Sequence, residues 1–228
     1  MKYAVVFGVA GVLLGALGWE SGGIARGLMW PAMNLFVLAV AYGRDEARLL
    51  GKSPDGRLQP VVVLLLAPYF ATTWIAWHLF RRWTPEPCAH RVDTCLWVGR
   101  RPFLSDLPDD IALIVDLTAE FSVHPRVKSA IPVLCVPTLD ARAPTFEAAA
   151  AAVARIRDTV GEVYIHCAAG HGRAATLASA VLLDRGVVTD VDAAEAHLQA
   201  QRPAVRLHRV QRALAARFGP ELSQRPGV

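Results

Sequence analysis

Three long apolar stretches, Tyr3 to Trp19, Gly27 to Gly43 and Pro60 to Phe80, fill the first part of the chain. Beyond about residue 94 the pattern changes to short apolar runs alternating with alanine-rich segments of helical composition. A helix rises about 1.5 Å per residue, so each long stretch approaches the length that crosses a bilayer core, the first two at the short end. Trp19, Trp30 and Trp83 lie at or near their ends, where interfacial anchors belong. The third stretch is the strongest, with Val61 to Leu66 unbroken by charge. Pro31, Asn34, Pro68 and His78 interrupt the second and third; membrane helices tolerate proline, and Asn34 or His78 then faces a neighbouring helix or the interface. Three spans are expected, with two as the alternative. A signal peptide competes for the first stretch, because Lys2 precedes it, but a small-x-small cleavage site is hard to place and two more apolar stretches follow. Buried core helices are the remaining reading of all three.

The segment Thr84 to Arg91 holds Pro85 and Pro87 and reads as a stiff, extended linker. After it, Leu96 to Gly99, Ile111 to Leu117, Ile131 to Val136 and Glu162 to Cys167 read as strands, the middle two nearly continuously apolar, as a sheet covered on both faces requires. Helices are expected over Phe146 to Val160, stopped by Gly161, and over Arg173 to Arg185, stopped by Gly186. A third is expected over Ala193 to Gln201, capped by Thr189 or Asp190, and a last over Leu207 to Phe218. This alternation predicts an α/β domain with a mostly parallel central sheet flanked by helices, preceded by an all-α transmembrane segment of two or three helices. The divisions follow: residues 1–83 transmembrane, 84–93 linker, 94–219 the α/β domain and 220–228 a frayed tail.

Charge separates the same two halves. Residues 1–83 hold eight of the 24 Lys and Arg and four of the 20 Asp and Glu, leaving sixteen of each sign beyond, so the formal charge of +4 belongs to the apolar part. A neutral second half gives no reason to expect nucleic-acid binding. The positive-inside rule is nearly balanced: Lys2, Arg44, Arg48, Lys52 and Arg57 favour one orientation, Arg26, Arg81, Arg82 and Arg91 the other. A reactive thiol survives best in a reducing compartment, which favours placing the cysteine-bearing second half on the cytoplasmic side of a bacterial inner membrane, with three spans and the N-terminus outside. Of four cysteines, Cys88 and Cys95 flank His90 without a second metal-like pair, so no metal is expected; they form a disulfide only if the domain faces an oxidising space. Cys135 reads as a core residue.

The chemistry concentrates in His166-Cys167-Ala168-Ala169-Gly170-His171-Gly172-Arg173, between the apolar run Val163 to Ile165 and a helix start. A strand that turns through glycines into a helix aims backbone N–H groups at one point, where the helix dipole also favours negative charge. A thiolate at Cys167 is stabilised there by amides, dipole and guanidinium, and Arg173 can grip two phosphate oxygens in a planar fork. The alternative is an inert buried cysteine before an ordinary helix. That leaves two glycines and an arginine unexplained.

The run matches H-C-x-x-G-x-x-R at His166, Cys167, Gly170 and Arg173, and so resembles the cysteine-dependent protein-tyrosine and dual-specificity phosphatase superfamily. Leu96-Trp97-Val98-Gly99 also resembles the opening strand of the dual-specificity members. The resemblance implies Cys167 as nucleophile, Arg173 with the loop residues Ala168, Ala169, Gly170, His171 and Gly172 as the phosphate cradle, and His166 as a loop support. It implies no metal or organic cofactor. The loop from Val136 to Pro144 resembles the family's general-acid loop, making Asp140 the proton donor; a turn aspartate is the other reading, and Asp116 is the rival carboxylate with a more structural place. One departure stands out: where the family carries Ser or Thr after the arginine, this chain has Ala174, with Thr176 pointing elsewhere. The implied partners are a phosphorylated protein, a phospholipid head group as the alternative, and the membrane; lysines common in lipid-phosphatase loops are missing. A weakly active phosphate-binding module is a second alternative and a sulfurtransferase a third, although the order Asp140 then Cys167 fits the phosphatase plan.

Overall fold

The computed structural model describes residues 2–219, and the tail expected from Pro220 lies outside them. The chain divides into two compact units, one comprising mainly residues 2–53 and 57–84, the other mainly 85–118 and 123–219.

In the first unit α1 (Lys2–Ser21) is followed by a 3-10 segment, Gly23–Leu28, that runs into α2 (Met29–Arg44). Lys2–Ser21 and Gly23–Arg44 are both long and apolar enough to cross a membrane. They meet along the face of α1 that carries Gly8, Gly11, Gly15 and Gly18. A Cβ on Gly11 would sit 3.3 Å from the Ala32 carbonyl oxygen, and one on Gly18 would sit 3.0 Å from that of Ala25. Small residues at this spacing let two backbones approach, which is how helices associate where apolar burial supplies no driving force.

The third apolar stretch is not one helix but two, α3 (Pro60–Leu65) and α4 (Ala67–Trp83), parted at Leu66 with φ −102° and ψ 22°. Pro68, two residues on, has no N–H for the ladder. The broken rung is rebuilt by a side chain from α2. Asn34 Nδ2 donates to the Leu65 carbonyl (3.0 Å) and Asn34 Oδ1 accepts from the Tyr69 N–H (3.1 Å), so the amide bridges the two groups that an unbroken helix would join directly. Trp30 Nε1 also donates to Leu65 (2.8 Å). Asn34, only 2% exposed, thus faces the neighbouring helix, one of the two places its polarity allowed.

The second unit is built on strands β1 (Ala89–Asp93), β2 (Leu96–Arg100), β3 (Ile111–Thr118), β4 (Val133–Thr138) and β5 (Glu162–Cys167). Their order is β1-β2-β5-β3-β4, parallel except for the antiparallel edge strand β1. The mostly parallel sheet flanked by helices is the α/β architecture read from the sequence. The strand β1 lies where the linker 84–93 was expected; its polar sequence buries only Val92, which suits an edge. A six-residue helix, α5 (Pro125–Ala130), was also not foreseen, being too short to carry a period.

One face of the sheet is covered by α6 (Phe146–Arg157), α7 (Arg173–Asp184), α8 (Val191–Gln201) and α9 (Arg209–Ala215), which share its main hydrophobic core. Every residue of α7 from Arg173 to Leu183 is buried, so its alanines serve close approach by neighbours on all sides. The other face packs Ile111, Ile114 and Tyr164 against Val127 of α5 and Trp97. Thr145 caps α6 and Asp190 caps α8, accepting from Ala193 N at 2.8 Å. The latter bond holds the Asp190 carboxyl below its ordinary value. Strand β5 is central, between β2 and β3, so its carboxyl end is the natural ligand site of such a sheet.

Candidate active site

Cys167 is the last residue of β5, in register with Arg100 on β2, and is 3% exposed. The chain then turns through Ala168 to Gly172 and enters α7 at Arg173, with Gly172 at the N-cap. The turn has a definite polarity because its carbonyls are held from outside. Ala168 O accepts from Arg101 N (3.3 Å), Ala169 O from Arg202 Nη2 (3.1 Å) and His171 O from Arg206 N (3.2 Å). With these oxygens turned outward, the peptide N–H groups are left to face inward, and that of Gly170 donates to Cys167 Sγ at 3.2 Å. Such a turn, with sulfur at its floor, has the geometry that can hold an anion.

Gly170 is required twice over. Its φ of +83° disfavours any side chain, and a Cβ there would lie 2.5 Å from the Gly99 carbonyl carbon and 2.6 Å from its oxygen. The loop therefore rests directly on the backbone of β2.

Arg173 is 2% exposed and fixed from behind: Nη1 donates to Thr138 O (2.9 Å) and, at 3.5 Å, to Leu117 O, the ends of β4 and β3. Its Nη2 lies 3.2 Å from Asp140 Oδ1. Asp140 comes from the loop after β4, and its side chain is 76% exposed, so it stands at the mouth, not in the wall. The structure thus brings Cys167, Arg173, Asp140 and residues 168–172 to one end of the sheet.

His166 points to the opposite face from Cys167. Its Nδ1 lies 3.4 Å from the Cys167 carbonyl oxygen and 3.9 Å from Asp116 Oδ1. Asp116 is 2% exposed and accepts from the Thr118 N–H and hydroxyl at 2.8 and 2.6 Å, the setting of a structural carboxylate behind His166. Ala174 is fully buried, and the Thr176 hydroxyl donates to Gly172 O (2.9 Å), so its proton is directed away from sulfur. No disulfide joins any of the four cysteines, and Cys135 is half-buried. Among the described residues no cluster of His, Cys, Asp and Glu is arranged to hold a metal.

Three contributors to the site were not visible in the sequence reading. Gln211, fully buried on α9, donates to Arg142 O of the acid loop (3.0 Å), and its amide lies 3.2 Å from where a Gly172 Cβ would be. Arg202, 1% exposed, donates to Glu86 Oε2 (2.7 Å), His90 Nδ1 (3.0 Å) and Pro87 O (3.2 Å) as well as to the loop. Burial pulls its guanidinium below its ordinary value, opposed chiefly by the Glu86 carboxylate. His90, accepting from Arg202, is pushed down by burial and by that positive charge. The third is Glu86, whose Oε2 is also 2.6 Å from His171 Nε2. Glu86 meets His171 and Arg202 across 85 and 116 residues of sequence, and only folding reveals these contacts.

A strand-end cysteine in a glycine-turned loop, backed by a buried arginine and faced by a carboxylate, thus stands at the carboxyl end of an α/β sheet. The comparison with protein families gives the more particular statement: residues 105–219 match the PTP-SAK model, described as a Swiss Army Knife protein, DSP-PTPase phosphatase domain. The chain belongs to this family and carries a phosphatase domain of the dual-specificity type. Among solved structures it is similar to PTPMT1 in complex with PI(5)P, at 19% identity and TM-score 0.52, over 61% of this chain and 99% of that one. A mutant form of Tk-PTP matches at 25% identity and TM-score 0.53, over 61% and 99%. Human DUSP28 matches at 17% identity and TM-score 0.50, over 61% and 97%. No curated protein sequence matches the chain.

Proposed function

We propose that this protein is a membrane-anchored phosphatase that hydrolyses phosphomonoesters of phosphotyrosine, phosphoserine or phosphothreonine in proteins through a phosphocysteine intermediate. The observation that carries the reading is the cradle itself: three loop carbonyls held outward, the Gly170 amide on Cys167 Sγ, and Arg173 immobilised by the ends of two strands. In the first step the Cys167 thiolate attacks phosphorus as the bond to the leaving oxygen breaks. Asp140, protonated, gives that oxygen its proton, while Arg173 and the loop amides hold the three equatorial oxygens. A phosphate in the cradle competes with Asp140 for the edge of Arg173 that the carboxylate now faces, freeing it to turn to the leaving group. In the second step Asp140, as carboxylate, takes a proton from water, water oxygen bonds to phosphorus, and the P–S bond returns its electron pair to Cys167.

The anchoring rests on Lys2–Ser21 and Gly23–Arg44, with the catalytic domain on the cytoplasmic, reducing side. The same helices favour a second reading, a phospholipid head group as substrate, because a bilayer anchor concentrates that ester at the site; PTPMT1 has been captured with PI(5)P. The test is hydrolysis by the full chain in lipid nanodiscs of an aryl phosphate, a phosphotyrosine peptide and a phosphorylated head group carried in the same bilayer. Turnover that Cys167→Ser abolishes is expected, with the peptide preferred. Preference for the lipid selects the second reading, whereas phosphate binding without turnover of any of the three leaves a weakly active binding module.

A further inference from the structure

We propose that Glu86 is a positioning residue for phosphate capture: its carboxylate, shared between Arg202 and His171, braces the Ala169 to His171 arc of the loop in the amide-inward conformation. The inference rests on the phosphatase reading of that loop. Glu86 lies between Pro85 and Pro87, three residues after the last residue of α4, on the segment where only an extended linker was expected.

The geometry is a closed figure. Glu86 Oε2 is 2.6 Å from His171 Nε2 and 2.7 Å from Arg202 Nη2, and Arg202 Nη2 donates on to Ala169 O at 3.1 Å. Two of the five loop residues are therefore gripped, one by its side chain and one by its carbonyl, from a single carboxylate. The backbone of Glu86 is itself held, since its carbonyl accepts from Arg100 Nη1 at 2.7 Å, and Arg100 is the residue that pairs with Cys167. Burial makes the arrangement consequential: the side chain of Arg202 is 1% exposed, Glu86 16% and His171 23%. Removing the carboxylate leaves a desolvated guanidinium short of its anion, and Arg202 is then free to draw Ala169 O to a new position. Each loop carbonyl that rotates turns the following N–H out of the cradle. Phosphate affinity is what such a rotation costs first, because the amides bind ground state and transition state alike.

The brace also explains a residue choice inside the motif. His171 is engaged through its ring Nε2 by Glu86 Oε2, and its use is to supply the loop's contact with that carboxylate.

The test uses the full chain in nanodiscs with Glu86→Gln, Glu86→Asp, Arg202→Lys and the Glu86→Gln/Arg202→Lys double variant. Cys167 is alkylated with iodoacetate at about pH 6, with and without inorganic phosphate, which reads the loop without requiring turnover. Steady-state hydrolysis of an aryl phosphate and thermal unfolding run alongside. Glu86→Gln is expected to raise the phosphate concentration that protects Cys167 by roughly tenfold or more, and KM with it, with a smaller change in kcat. Glu86→Asp should recover part of the loss, and the double variant should lose little more than the worse single one, as one device requires. Wild-type protection in Glu86→Gln overturns the proposal, as does an equal loss in Glu86→Asp or a loss that merely follows the melting temperature. A wild-type protein that shows phosphate protection but no hydrolysis sinks the phosphatase reading and leaves the brace standing.

Discussion

Replacing Gly170 by alanine tests the loop geometry with a single methyl group. The new Cβ would lie 2.5 Å from the Gly99 carbonyl carbon, 2.6 Å from its oxygen and 2.8 Å from Arg100 N, all backbone atoms of β2 that no side-chain rotation can clear. Alanine at φ +83° adds about 1 kcal/mol or more of strain. Restoring ordinary contact requires the arc to rise by about 1 Å, which takes the Gly170 N–H off Cys167 Sγ and misaligns its neighbours. A displacement of that size in a phosphate-gripping loop corresponds to roughly a hundredfold loss in kcat/KM. The assay is initial-rate hydrolysis of an aryl phosphate by the full chain, with thermal unfolding to show that the domain remains folded. Activity within about threefold of wild type in a folded Gly170→Ala protein would refute the claim that the loop is seated on β2.

Asp140→Asn should slow esters with poor leaving groups by roughly a hundredfold or more and activated aryl esters much less; an equal loss across a leaving-group series rejects the acid role. Ala174→Ser should speed phosphocysteine breakdown and shrink the pre-steady-state burst, because the hydroxyl of Thr176 is directed to Gly172 O; an unchanged burst shows that the second step does not need it. Asn34→Leu should destabilise the helical unit by about 1–2 kcal/mol, since it opens the bridge between Leu65 O and Tyr69 N, and detergent unfolding unchanged from wild type counts against that bridge.

What the sequence disclosed, and what it hid, divides along physical lines. Strand β5 appears at the limits read from its apolar run, because a central parallel strand must be apolar on both faces and ends where the glycines begin. The turn after it was legible for a related reason: a tight backbone turn restricts residue types locally, and at Gly170 a Cβ would meet the backbone of β2. Edge strand β1 was hidden because one side of it meets water, leaving only Val92 buried in a run otherwise polar or small. The break at Leu66 was hinted at by Pro68, yet its repair by Asn34 depends on a residue 31 positions away. Glu86 and Arg202 were hidden more deeply. One sits among prolines and the other before Pro203, and neither sequence neighbourhood reveals that the two side chains meet behind the phosphate loop.

Phosphate is expected to pass through Cys167 on its way to water. The most direct measurement is rapid-quench mass spectrometry of the full chain mixed with an aryl phosphate, followed by peptide mapping. One phosphoryl group is expected on the peptide containing Cys167 during turnover, lost on longer incubation and never formed in Cys167→Ser. Sustained hydrolysis with no phosphoryl group on that peptide, or hydrolysis retained by Cys167→Ser, would contradict passage through Cys167.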